Sequence, residues 1–225
     1  FYTPSIYRYE LFDFGETASF GVANMPEKSF ENASLAGRLN FDLSSVGFSL
    51  SGFRGYDPFY GFRVGGVDWA SGAPQISYTA APYLRNSVGA DLAIPLGSWI
   101  IRAEAAYNST EDALENMNIP NPHLSYVAGL ETSFAGITAI AQYIGKYDLK
   151  FTELEIPQLT DPTDPMAQLY YANSMIAFES ENYNRNVFNL TEEMNHGFAL
   201  SINKSFAYDR VNLEMTAYYQ ITTEE

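Results

Sequence analysis

Between residues 86 and 134 the chain alternates apolar and polar side chains through three successive segments. This period of two leaves little but a sheet open to it. In the first segment Val88, Ala90, Leu92 and Ile94 share one parity, against Gly89, Asp91 and Ala93. After Pro95-Leu96-Gly97-Ser98, Trp99, Ile101, Ala103, Ala105 and Tyr107 share a face, with Arg102 and Glu104 opposite. Leu124, Tyr126, Ala128, Leu130 and Phe134 repeat the pattern, against His123, Ser125, Gly129 and Glu131. Successive side chains of a strand point to opposite faces. Each segment therefore predicts a strand with one oily face and one ionic face. A soluble sandwich and a membrane barrel both show such alternation, so other features must choose between them.

The same reading gives about ten strands and almost no helical period elsewhere. Expected strands are 5–13, 17–25, 34–43, 46–51, a very long one over 75–94, 99–107, 123–134, 137–149, 186–204 and 211–221. A Gly- and aromatic-rich loop is expected over 54–74. The longest non-alternating stretch is 150–185, where Asp161-Pro162-Thr163-Asp164-Pro165 is a helix start signal for 166–179. Connections near Gly15, Ser44, Gly97, Gly136 and Ala207 are short. Those at 26–33, 54–74, 108–122 and 150–185 are long. Short turns at one end and long loops at the other is the order of an outer-membrane barrel. Tyr and Trp also stand near the ends of the apolar faces, as Trp99, Tyr107, Tyr143, Tyr147 and Tyr219. Amphipathic rings favour that level because one side is apolar and the other wet.

The polar faces carry charges of both signs. Arg8 shares a face with Glu10, Arg38 with Asp42, Arg85 with Asp91, Arg102 with Glu104, and Arg210 with Glu214. Interleaved across neighbouring strands, these predict an Arg–carboxylate ladder facing a lumen. Asp91, Glu131, Gln142 and Lys146 fall on the same parity and complete the expected lumen-lining set.

In this pattern the chain resembles Gram-negative outer-membrane β-barrels of the porin-like kind. The hairpins 88–107 and 126–147 and the strand 211–221 carry the resemblance, which extends over essentially the whole chain. It implies an all-β fold, an antiparallel up-and-down transmembrane β-barrel. It implies a single barrel domain over 1–225, with 150–185 as an extracellular or inward-folded loop. It also implies a bacterial outer-membrane location, in contact with lipid and lipopolysaccharide. Short turns on the periplasmic side would run 5–13 downward and end 211–221 outside. Such barrels have an even strand count and closed walls, so at least one strand is expected beyond each end, in a barrel of about twelve or more.

Composition bounds the chemistry. The chain has 225 residues, no cysteine and a formal charge of −15. That is one domain or a piece of one, with no disulfide framework and no thiolate metal site. The acidic balance argues against a nucleic-acid partner, which needs cations for phosphate. No apolar run reaches the roughly 20 residues of a spanning helix. Residues 1–4 lack a signal peptide's basic start and apolar region, as in a mature secreted chain or an excised fragment. His123 and Ser125 share a face, but no acidic orienter sits at a triad spacing. Glu153, Glu155, Asp161 and Asp164 lack the spacing of a calcium loop, and His196 beside Glu192 and Glu193 reads as a polar strand end. No catalytic residue, metal ligand or cofactor is expected.

The leading expectation is a porin-like channel for passive diffusion of small polar solutes, with 150–185 as its constriction. One alternative is a structural or partner-binding barrel without an open pore, displaying loop 54–74 to another protein. The second is a soluble β-sandwich binding protein.

Overall fold

The computed structural model describes residues 17–23, 25–71, 74–113, 115–206 and 210–221. The expected strand 5–13, with Arg8 and Glu10, lies outside the described residues. In chain order the described elements are β1 (Thr17–Gly21), β2 (Leu35–Leu43), β3 (Val46–Tyr56), β4 (Gly61–Asp68), β5 (Gln75–Ala81) and β6 (Leu84–Leu96). There follow β7 (Trp99–Thr110), β8 (His123–Phe134), β9 (Ile137–Asp148), α1 (Pro165–Phe188), β10 (Met194–Phe206) and β11 (Val211–Gln220). Among the described residues the fold is all-β, with one helix of 24 residues. That helix is too polar to cross a membrane, and none of the described residues form one that is long and apolar enough.

Eight strands make one sheet, in the order β11-β10-β9-β8-β7-β6-β3-β2. Every neighbouring pair is antiparallel. At one end the links β2–β3, β6–β7, β8–β9 and β10–β11 are short. Between β8 and β9, Ala135 (φ 51°) and Gly136 (φ 73°) both adopt the left-handed region. A two-residue hairpin of this hand matches strand twist, and glycine takes it without steric cost. At the other end all links are long: 57–83 with β4 and β5, 111–122, and 149–193 with α1. The described strands do not close into a barrel. β2 and β11 are the two edges of an open sheet.

Register carries parity unbroken across this sheet. One rung reads Phe41, Phe48, Leu92, Ala103, Ala128, Tyr143, Phe198 and Tyr219 through all eight strands. The next rung, on the opposite face, reads Asn40, Ser49, Asp91, Glu104, Val127, Ile144, Gly197 and Gln220. Apolar side chains pair with one another across strands, as in the Phe41–Phe48 stack at 4.7 Å and the Tyr143–Phe198 contact at 5.2 Å. Tyr126 lies over Gly145 on the adjacent strand, where an added Cβ would strike its ring.

Burial on this sheet is inverted relative to a water-soluble one. The apolar face is open: Leu39 is 65% exposed, Leu200 46% and Met215 63%. Apart from Gly145 beneath the Tyr126 ring, every buried residue of the sheet lies on the polar face, among them Ser49, Asn108, His123, Asp148 and Asn195. A soluble sheet hides its apolar face, because burying that area is its main source of stability.

A smaller unit stands at the long-connection end. β1, β5 and β4 form a three-stranded sheet, with β1 parallel to β5. α1 packs on it, so that Ile76, Tyr78 and Ile176 form a buried core with Phe62, Val64, Val67 and Trp69 around it. Asn184 of α1 is fully buried, donating to the Phe62 carbonyl and accepting from the Phe62 N–H, both at 2.7 Å. Asn184→Ala orphans two backbone groups and is expected to cost about 1–3 kcal/mol. Chemical unfolding monitored by tryptophan fluorescence reads this directly, since Trp69 packs against the same core.

Several boundaries differ from the sequence reading, each for a local reason. The single strand expected over 75–94 is two strands in different sheets. Pro82 brings no donor to a ladder, and Tyr83 turns into a second core against Phe188 and Leu190. The expected loop 54–74 contains the end of β3 and all of β4. A register shift between Val64 and Gly66 hides the alternation of β4. α1 runs to Phe188 rather than ending at 179. Asp164 caps its start as the signal predicts, accepting from the Met166 N–H at 2.9 Å. The polar last turns persist because Arg185 bonds Glu181 one turn back at 2.7 Å and Tyr183 and Asn184 are buried. β10 therefore starts at Met194, not at 186.

Candidate functional site

The polar face of the eight-stranded sheet is where charged side chains converge. Toward its β2 edge, Arg38 of β2 reaches Asp91 of β6 at 2.8 Å, across the intervening β3. Ser49 of β3 donates to the same carboxylate, and Arg38 also donates to Asn40 at 2.9 Å. Arg102 of β7 reaches Glu131 of β8 at 3.0 Å. These pairs are cross-strand, whereas the sequence grouped Arg38 with Asp42, Arg85 with Asp91 and Arg102 with Glu104 along single segments. Both ion pairs are well exposed, with arginine side chains 57% and 56% accessible. Pairs of this kind contribute at most about 1 kcal/mol.

The other expected residues also fall on this face. Glu104 stands opposite Asp91, Gln142 opposite Gly129, Glu214 opposite Asn203 and Asp42 opposite Gly47. Lys146 lies near the long-connection end of β9. Arg210 sits in the turn just before β11 and forms no part of the strand. Glu104 of β7 and Tyr218 of β11 line one cavity of about 220 Å³ with Lys146 and Asn195. Four strand spacings separate β7 from β11, so the polar face is the concave one.

A buried cluster at the long-connection end was not legible from strand parity. Asp57, just beyond β3, is 2% exposed and bonds Arg85 of β6 at 2.6 Å. The same carboxylate accepts from the Phe59 N–H at 2.8 Å. The Tyr83 hydroxyl also bonds Asp57, and burial followed by the nearby Asp57 charge drives its pKa far up. The Arg85 guanidinium lies over the Phe53 ring at 5.2 Å. From β9, Lys146 donates to the Phe188 carbonyl at 2.7 Å, where the last turn of α1 ends. A cation at this point also meets the negative end of the helix dipole. α1 is thereby anchored over the polar face.

His123 is the first residue of β8 and lies one rung beyond the Tyr107–Leu124–Tyr147 level. Its Nδ1 donates to the Asn121 carbonyl at 2.8 Å. Ser125 instead receives the Asn108 amide at 3.4 Å, so the two side chains take separate partners and do not assemble a base and a nucleophile. Burial holds the His123 pKa below its ordinary 6.5. Above pH 6.5 the ring is neutral in both folded and unfolded chains and costs nothing. Below it, the unfolded chain takes up a proton that the folded one refuses, so stability is lost as pH falls. Thermal unfolding at pH 7.5 and 5.5 should therefore show a larger acid loss in the native chain than in His123→Gln.

On the apolar face His196 bonds the Tyr143 hydroxyl at 2.6 Å. Asp161 accepts from the N–H and hydroxyl of Thr163, and Asp164 is spent as the helix cap. Among the described residues, no three acidic or histidine side chains gather as metal ligands.

The polar face is thus a concave, mixed-charge surface with a helix anchored at one end. No family model matches this chain, and neither a curated protein nor a solved structure shows a match to it.

Proposed function

We propose that the eight-stranded sheet is part of the wall of an outer-membrane β-barrel, with its apolar face against lipid and its polar face toward a lumen. In this reading the protein is a porin-like channel for passive diffusion of small polar solutes, seated in lipid and lipopolysaccharide of a bacterial outer membrane. The observation that carries it is the inverted burial of the sheet. An apolar surface exposed from edge to edge is far larger than the few hundred Å² that soluble monomers leave open, while the ions and amides lie on the concave side.

Three features support the same reading. Short turns gather at one end and long connections at the other. Aromatic rings flank the apolar band at both levels, with Trp99 and Phe134 toward the short turns and Tyr107, Tyr147 and Tyr219 toward the long connections. The Arg38–Asp91 and Arg102–Glu131 pairs on the polar face stay solvated, where a lumen would use such charges to tune selectivity. Hydrocarbon does not tolerate unpaired strand edges, so the reading requires β2 and β11 to be paired in the assembled wall. α1 then stands at the mouth, in the place where the sequence suggested an inward-folded constriction.

Planar-bilayer recording tests this reading. Stepwise conductance from the purified protein is the expected result. A silent bilayer with a stoichiometric co-purifying partner would favour a structural barrel instead. Partition into the aqueous phase without detergent would favour a soluble sandwich.

A further inference from the structure

At the long-connection end of the polar face, a cavity of about 270 Å³ lies between the sheet and the last turn of α1. Two cations line it, Arg85 from β6 and Lys146 from β9. Asp57 neutralises Arg85. Lys146 gives one of its three N–H groups to the Phe188 carbonyl and forms no ion pair with a carboxylate among the described residues. One positive charge is therefore uncompensated within the cavity. Arg85 is itself under-satisfied, because its Nε is buried without an acceptor. Apart from His123, the remaining wall is apolar or aromatic: Phe59, Tyr83, Pro120, Val187 and Phe188.

A half-buried ammonium with spare donors calls for an anion, since charge-assisted bonds are the strong ones. The apolar wall calls for a ligand with an apolar body, and the cavity is close to the size of pockets that hold small organic molecules. Inorganic phosphate would satisfy the cation and leave that wall unused. We propose that this cavity binds a small organic carboxylate, with the carboxylate on Lys146 beside the Arg85 guanidinium and the apolar body against Phe59 and Phe188. The site goes beyond the channel reading and does not depend on it, because the cavity, the cations and the apolar wall all belong to the described residues themselves.

Titration calorimetry of the purified full chain tests the site with benzoate, its neutral isostere benzamide and inorganic phosphate. Benzoate is expected to bind, with benzamide and phosphate each weaker by about tenfold or more. Lys146→Gln keeps a donor for the Phe188 carbonyl but removes the charge, and should weaken benzoate by about tenfold. Lys146→Arg should retain it. Equal affinity for benzoate and benzamide would overturn the site, and that comparison needs no variant to fold. Phosphate matching benzoate, unchanged binding in Lys146→Gln, or no heat with benzoate up to about 10 mM would overturn it as well. Calorimetry reads binding without conductance. A silent bilayer therefore leaves the site intact, and absent binding leaves the channel reading intact.

Discussion

Leu200→Arg is expected to destabilise the bilayer-inserted protein by about 2–4 kcal/mol, the cost of a cation on the lipid face of a barrel near its midplane. Ser201→Arg, one residue along the same strand, should change stability by less than about 1 kcal/mol. Leu200 belongs to the apolar face, in a rung with Leu130 and Ala141, and is 46% exposed. Ser201 points to the concave polar face, where its hydroxyl accepts from Thr216 at 3.3 Å. Period-two geometry makes two adjacent positions sample two solvents. Chemical unfolding in lipid vesicles gives both values. Equally small losses at the two positions would mean that the apolar face meets water.

The other large effect is expected at Asp57. Asp57→Ala should cost about 3–5 kcal/mol, because removing one partner of a buried ion pair strands the other charge. Three groups lose their acceptor together: the Arg85 guanidinium, the Phe59 N–H and the Tyr83 hydroxyl. Arg38→Ala breaks an ion pair of similar length in the open part of the same face. It should cost no more than about 1 kcal/mol, because water screens and replaces that partner. The contrast comes from burial, since the carboxylate is 2% exposed in the Asp57 pair and 36% in the Asp91 pair, and the guanidinium 31% against 57%. The double variant Asp57→Leu with Arg85→Met should recover part of the loss, as hydrophobic replacement of a buried pair often does. Denaturation midpoints of the native chain and these three variants give the differences.

Much of the large sheet was legible in the sequence because one physical rule governs it. β6 to β9 alternate over most of their length, with Asn86, Val127 and Ile144 among the exceptions, and Gly97 and Gly136 mark turns that require left-handed backbone. β4 was hidden because its bulge at Gly65-Gly66 shifts the parity of Val67 against Val64. The end of α1 was hidden because Asn182, Asn184 and Asn186 read as loop. Asn184 is helical through a tertiary bond to Phe62, which no local window contains. The cluster around Asp57 was missed for a related reason. Its members come from three segments, and parity alone paired Arg85 with Asp91 on its own strand. The usable signal was position: Arg85 and Lys146 both lie at the polar-face ends next to long connections. The cross-strand ion pairs of Arg38 and Arg102 needed the strand order as well as the parity.

The central claim is that the oily face of this sheet meets lipid and the ionic face meets water. The chain has no cysteine, so single cysteines at residues 199 to 203 of β10 can each carry a nitroxide label without competition. Collision of each label with oxygen and with a water-soluble nickel chelate, in reconstituted bilayers, separates lipid, water and packed protein. The account predicts that positions 200 and 202 collide with oxygen and that 199, 201 and 203 collide with the chelate. Chelate access at 200 and 202, or protection of both from either reagent as in a packed sandwich, would contradict it.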